Sequence, residues 1–190
     1  MLFNGEPEYK DTKRERLMAI ISSNLVALGL EPIRPDYSKI SFKLPLDVAV
    51  PVKMIEVLIF DDSIRDIVKT LRGLAGWPNV KFSFHQYQPE ESKYSRSIEE
   101  KVAEQNKAAS VIAASGAQIV LMDQGLGAID GSDVVRNVIA TYTKHPIFVP
   151  NTGGEPDELQ NAGAMNDNCD KGQRWGALSR AIGRLNATAE

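Results

Sequence analysis

Apolar positions change their period several times along the chain, and each change predicts an element. Leu17, Ile20, Ile21, Leu25 and Leu28 recur at helical spacing, with Gly29 placed to end the helix. After a turn over residues 34–38, Ile40, Phe42 and Leu44 alternate with polar neighbours, as in a half-buried strand. Pro45 and Pro51 punctuate the next stretch, and Pro51-Val52-Lys53 reads as a joint. Residues 1–53 therefore predict a helix-plus-strand extension, and residues 54–190 a separate body. The apolar helical stripe of the extension needs a cover, which is either the rest of the chain or, the preferred reading, a second copy in a homodimer through that helix.

The body reads differently. Ile55-Glu56-Val57-Leu58-Ile59-Phe60 is a branched, apolar run ended by Asp61-Asp62, the pattern of a buried parallel strand. Ile64, Ile67, Val68, Leu71 and Leu74 follow at helical spacing and stop at Gly76-Trp77-Pro78. Val80, Phe82 and Phe84 alternate as a second strand. A polar loop from Gln86 to Ser95, carrying Tyr87, Lys93, Tyr94 and, just beyond it, Arg96, leads to a long helix over roughly 97–115. Residues 117–122 predict a third strand ending at Asp123, and Val134, Val135, Val138 and Ile139 mark the next helix. Ile147-Phe148-Val149 is a short fourth strand, and Trp175, Leu178, Ile182 and Leu185 mark a last helix. A fifth strand is expected before Lys171, although Met165-Asn166-Asp167-Asn168-Cys169-Asp170 is polar there. Alternating strands and helices of this kind predict an α/β, doubly wound parallel five-stranded sheet with helices on both faces.

Composition narrows the function classes. A net charge of −3 with a pI near 5.5 gives no general basic footprint, so direct DNA binding is not expected. Cys169 is the single cysteine, which rules out an internal disulfide and argues against a cysteine-built zinc site. His85 and His145 are the two histidines, and neither neighbours a nucleophile motif of a hydrolytic triad. No apolar run reaches the length of a membrane span, and Met1-Leu2-Phe3 leads at once into polar residues rather than a signal peptide. The expectation is a cytoplasmic protein with no membrane association.

The candidate chemistry lies at strand ends. In an open parallel sheet, ligands bind beyond the carboxyl ends of the strands, at the point where strand order reverses. Asp61 and Asp62 end the first strand, Asp123 the third, and Thr152 lies just past the fourth. Three crowded carboxylates repel one another unless a cation holds them, and a hard divalent ion with oxygen ligands fits. Mg²⁺ is the usual ion where the substrate carries phosphate.

The segment Leu121-Met122-Asp123-Gln124-Gly125-Leu126-Gly127-Ala128-Ile129-Asp130-Gly131 resembles the receiver domain of two-component response regulators, which has a flavodoxin-like fold. There a phospho-accepting Asp is followed seven and eight positions later by an Asp-Gly pair, filled here by Asp130 and Gly131, with apolar residues at Leu126 and Ile129. Gly127 stands where the family usually has Pro. Val57-Leu58-Ile59-Phe60-Asp61-Asp62-Ser63 is similar to the family's first strand and acidic pair, and Thr152 answers to a later hydroxyl residue. The resemblance covers roughly residues 54–188.

That resemblance implies a set of roles. Asp123 accepts a phosphoryl group from a histidine kinase or phosphotransfer protein. Asp61, Asp62 and Asp123, with the Gly125 carbonyl, hold Mg²⁺. The Thr152 hydroxyl and Lys171 then meet the phosphoryl oxygens, and the change is passed to a downstream effector protein. The expected protein is a stand-alone signalling receiver rather than a dedicated enzyme. An alternative stays open: a receiver-like interaction module that keeps the acidic pocket without phospho-switching. An aspartate-nucleophile phosphatase is disfavoured, because its second Asp, two positions on, is replaced by Ser63 or Gly125.

Overall fold

The computed structural model describes residues 48–74, 77–88, 97–154, 156–166 and 174–188. The helix-plus-strand extension expected over residues 1–53 lies almost wholly outside them, as do Lys171 and Cys169. In chain order the elements are β1 (Ile55–Asp61), α1 (Ile64–Leu74), β2 (Val80–Gln86), α2 (Ile98–Ser115), β3 (Ile119–Met122), β4 (Gly125–Leu126), β5 (Ile129–Asp130), α3 (Gly131–Thr141), β6 (Ile147–Pro150), α4 (Asp157–Asn161) and α5 (Arg174–Ala187).

The main sheet runs β2-β1-β3-β6, and every pairing in it is parallel. This is the flavodoxin-like order, in which the chain winds first one way from β1 and then the other, so that β1 and β3 flank the switch point. Both faces are covered, which is why β1 is buried at every position except Glu56. On one face Ile55, Val57, Ile59, Ile119, Leu121 and Val149 meet α1 and α5, through Ile67, Leu71, Leu178 and Ile182 among others. On the other, Leu58, Phe60, Val120, Met122 and Phe148 meet α2, α3 and α4. The alternation of side chains along each strand thus divides the core into two layers.

Among the described residues the sheet has four parallel strands rather than the five expected. Met165 comes alongside the free edge of β6, where its amide donates to the Phe148 carbonyl at 2.9 Å. Among the described residues that contact is a single hydrogen bond, and the buried Met165 is followed at once by the exposed, polar Asn166. Residues 167–173, the rest of the expected strand, lie outside the described residues.

Three local features add to the sequence expectations. Ser97 caps α2 with a capping box: its hydroxyl accepts from the Glu100 amide, and the Glu100 carboxylate accepts from the Ser97 amide. Tyr87, expected in a surface loop, is buried against Phe60, and its hydroxyl donates to Glu104 of α2 at 2.7 Å. Residues 48–51 are tied to the body. The Ala49 amide donates to Ser179, the Ala49 carbonyl accepts from the Trp77 indole, and the Pro51 carbonyl accepts from Asn79.

Candidate metal centre

Register sets the position of the acidic residues before any side chain is considered. Phe60 pairs with Met122 across β1 and β3, and the Asp123 amide donates to the Phe60 carbonyl at 3.0 Å. Asp61 and Asp123 therefore stand side by side, one step past the last paired residues. Alternation puts both on the α1/α5 face, since Ile59 and Leu121, two residues earlier on each strand, lie there. Asp61 is 1% exposed and Asp123 8% exposed, so neither carboxylate is solvated like a surface acid.

The surrounding turns hold the acids in place. Asp61 Oδ1 accepts from the Ser63 amide at 2.8 Å, forming a turn that leads into α1, and the Ser63 hydroxyl accepts from the Asp66 amide. Gln86 Nε2 donates to the Asp62 carbonyl at 3.2 Å. One carboxylate oxygen from each of Asp61, Asp62 and Asp123 lies within 4.8 Å of the other two. Octahedral Mg²⁺ takes oxygens at about 2.0–2.1 Å, which places its ligands roughly 3–4 Å apart. The oxygen-only donor set and its spacing fit such an ion with a small closure of the side chains.

The loop after Asp123 is a hairpin that residue patterning does not predict. Gly125 pairs with Asp130 and Leu126 with Ile129, around a two-residue turn at Gly127-Ala128. Gly127 has φ 71°, a value closed to proline, whose ring holds φ near −65°. Gly127 meets this turn with no Cβ penalty. Gly131 follows the hairpin and donates to the Gln124 carbonyl at 2.8 Å. A Cβ there would sit 2.0 Å from the Asp123 carbonyl oxygen, so the position admits only glycine. Hydrogen-bonded and non-hydrogen-bonded pairs alternate in an antiparallel ladder, and the Gly131–Gln124 bond makes Gly125–Asp130 a non-hydrogen-bonded pair. The Gly125 carbonyl is therefore not consumed by the ladder, and a Cβ on Gly125 would lie 3.8 Å from Asp123 Oδ2.

The far side of the centre is built from the end of β6. The Asn151 amide donates to the Met122 carbonyl at 2.7 Å, which brings Asn151 level with Asp123. Asn151 is fully buried, and its Nδ2 donates to Thr70 Oγ1 of α1 at 3.5 Å. Thr152, one residue on, is 7% exposed, and its hydroxyl accepts from the Gly154 amide at 3.3 Å within its own turn. Of the residues expected from the sequence, the structure brings Asp61, Asp62 and Asp123 together with Gly125 beside them. Thr152 lies at the β6 end, engaged locally, and Lys171 lies outside the described residues. Thr70 was not anticipated. Its one signal was a hydroxyl beside the apolar stripe Ile67, Leu71, Leu74 of a buried helix face.

No protein-family model matches the chain, and no curated protein matches it either. Among solved structures it is similar to the receiver domain of the histidine kinase CKI1 from Arabidopsis thaliana, complexed with Mg²⁺ and BeF₃⁻. The identity is 16%, over 72% of this chain and 92% of that one, with a TM-score of 0.45. The BeF₃-activated DrrB receiver domain is 17% identical over 70% of this chain and 97% of that one, also with a TM-score of 0.45. The response regulator domain of Thermotoga maritima CheB is 15% identical over 72% and 96% respectively, with a TM-score of 0.43.

Proposed function

We propose that this chain is a cytoplasmic receiver that accepts a phosphoryl group on Asp123 and switches its binding to a partner. The observation that carries the reading is the convergence of Asp61, Asp62 and Asp123 within 4.8 Å at the switch point of the parallel sheet. An Asp123 carboxylate oxygen attacks the phosphorus of a phosphohistidine presented by a histidine kinase or phosphotransfer protein. The new O–P bond makes an acyl phosphate, the P–N bond breaks, and the imidazole leaves with the electron pair. Asp61, Asp62, Asp123 and the Gly125 carbonyl hold Mg²⁺, which when bound neutralises charge on the transferring phosphoryl oxygens. The protein's own work is positioning: two strand ladders align the acids, and the Asp123 amide is bonded to the Phe60 carbonyl while the Gly131 amide closes the loop onto Gln124. Thr152 and Lys171 are assigned to the phosphoryl oxygens, and a downstream effector protein reads the result.

The second reading, an interaction module that no longer switches, draws on the polar segment from Asn166 to Asp170 that stands where an apolar fifth strand is expected. One experiment separates the two. The full chain is incubated with Mg²⁺ and acetyl phosphate, and its intact mass is recorded beside that of Asp123→Asn. A phosphoryl increment in the parent that Asp123→Asn lacks is the expected result. Equal behaviour of the two proteins sinks the acceptor role.

A further inference from the structure

We propose that residues 17–28, which lie outside the described residues, fold back on the body and cover Val50, Val52 and Met54 with their apolar stripe.

Residues 49–52 are held by side chains that read their backbone. Ser179 Oγ accepts from the Ala49 amide at 2.7 Å, and the Trp77 indole donates to the Ala49 carbonyl at 2.8 Å. Asn186 of α5 takes two groups at once. Its Nδ2 donates to the Val50 carbonyl at 3.0 Å, and its Oδ1 accepts from the Val52 amide at 3.2 Å. Asn79 Nδ2 donates to the Pro51 carbonyl at 3.0 Å, and the Asn79 carbonyl accepts from the Ile55 amide. The segment is therefore fixed on both sides of Met54, by α5 and by the connection between α1 and β2.

That anchoring decides where the side chains go. Pro51 is buried, Val48 and Ala49 pack against the α1/α5 layer of the core, and Val50 and Val52 face outward. Val50 is 43%, Val52 72% and Met54 63% exposed, three of the five exposed large hydrophobic side chains among the described residues. A loose chain can turn such side chains inward, whereas this one holds them out. Apolar side chains scattered singly are ordinary on a surface, but a fixed cluster of them marks a contact.

Residues 17–28 suit that cluster. Leu17, Ile20, Ile21, Leu25 and Leu28, at helical spacing, fall on one face of a helix about 18 Å long. From Val50 to Met54 an extended chain runs at most about 14 Å, so the stripe is long enough to cover it. Residues 29–47 join the two and reach about 60 Å when extended, which leaves ample length for the return. A second copy is the weaker occupant. Three side chains are far fewer than the roughly 20–30 residues a side of a stable protein–protein interface. A tethered segment needs no such area, because its effective concentration is already high.

The test uses the full chain. Oxidation of Met54 by dilute hydrogen peroxide is followed by mass spectrometry in the parent and in Ile21→Ala/Leu25→Ala. Alanine keeps the helix propensity of residues 17–28 and leaves the body untouched, so a change reports lost cover. Met54 should oxidise about tenfold faster in the variant, the scale of one buried apolar side chain. Hydrogen exchange over residues 17–28 should be slow in the parent at every protein concentration. It should quicken about tenfold in Val52→Glu, with exchange over residues 55–74 unchanged. Should Val52→Glu disturb residues 55–74, the Met54 rates decide. Equal Met54 oxidation in the parent and the alanine variant overturns the proposal, as does fast exchange over 17–28 in the parent. Protection of 17–28 that appears only as concentration rises also overturns it, and assigns the stripe to a second copy.

Discussion

β1 and β3 have a strand on each side, whereas β6 has one neighbouring strand among the described residues. The difference separates the two halves of the candidate centre. Asp61 and Asp123 follow strands held by ladders on both edges, so their backbones are set by many hydrogen bonds. Among the described residues, Asn151 and Thr152 follow a strand ladder-paired along one edge, with a single bond from Met165 on the other. The backbone that carries Asp61 and Asp123 is held from both sides, and among the described residues the backbone that carries Asn151 and Thr152 mainly from one. On the proposed function, the half held from both sides is the one that would hold a metal, a role that needs fixed geometry.

The strongest challenge to this contrast is to loosen the central strands. Ile59→Ala removes a fully buried side chain from β1 and should cost about 2–5 kcal/mol in a denaturant titration. Gly131→Ala should cost about 3 kcal/mol, because its Cβ collides with the Asp123 carbonyl rather than with a yielding side-chain tip. It should also weaken Mg²⁺ binding measured by calorimetry, since the Asp123 backbone is what must move.

Metal removal sharpens the comparison further. Mg²⁺ at roughly a hundred times its dissociation constant should stabilise the parent by about 2.7 kcal/mol, a gain that a chelator abolishes. Asp61→Asn keeps the Oδ1 that accepts from Ser63 but removes one of three crowded charges. Without metal it should therefore be more stable than the parent by about 1 kcal/mol, and the Mg²⁺ gain should largely disappear. An unchanged Mg²⁺ gain in Asp61→Asn would remove that carboxylate from the ligand set.

Smaller effects are expected away from the centre. Ser97→Ala deletes the hydroxyl half of the α2 capping box and should cost about 1 kcal/mol by thermal melting, with Mg²⁺ affinity unchanged. His85, on β2, has its pKa lowered, first by burial and then by the positive charge of Lys107. The unfolded chain then binds this proton more readily than the folded one. The stability His85 contributes is complete above the unfolded value of 6.5 and is lost as pH falls toward the lowered folded value. His85→Gln should flatten the stability profile on the acid side of neutrality, with little effect above about pH 7.

Much of the fold was legible because burial leaves a local trace. Ile55 to Phe60 is apolar at all but one position because both faces of β1 are covered, and Asp61-Asp62 marks where the apolar run ends. The α1 stripe was visible in its spacing, and the Ser97–Glu100 pair that opens the helix over 98–115 is itself a start signal. The β4–β5 hairpin left a weaker trace. Its strands have two residues each, too few for periodicity, and the role of Gly127 shows only in its positive φ. Tyr87 followed a strand and preceded a polar run, and nothing local told that its ring would meet Phe60 and Glu104.

The sequence by itself determined that three acids stand at the carboxyl ends of two parallel strands, followed by a glycine-bearing loop. It did so because strand ends and turns are set by neighbours a few residues away. Only the tertiary structure decided that Asn151 shares the level and face of Asp123, and that Thr70 of α1 lies against it. Those are facts of register and packing between segments far apart in the chain, Thr70 and Asn151 being 81 residues apart, and a shift of one residue at a strand end exchanges one face for the other.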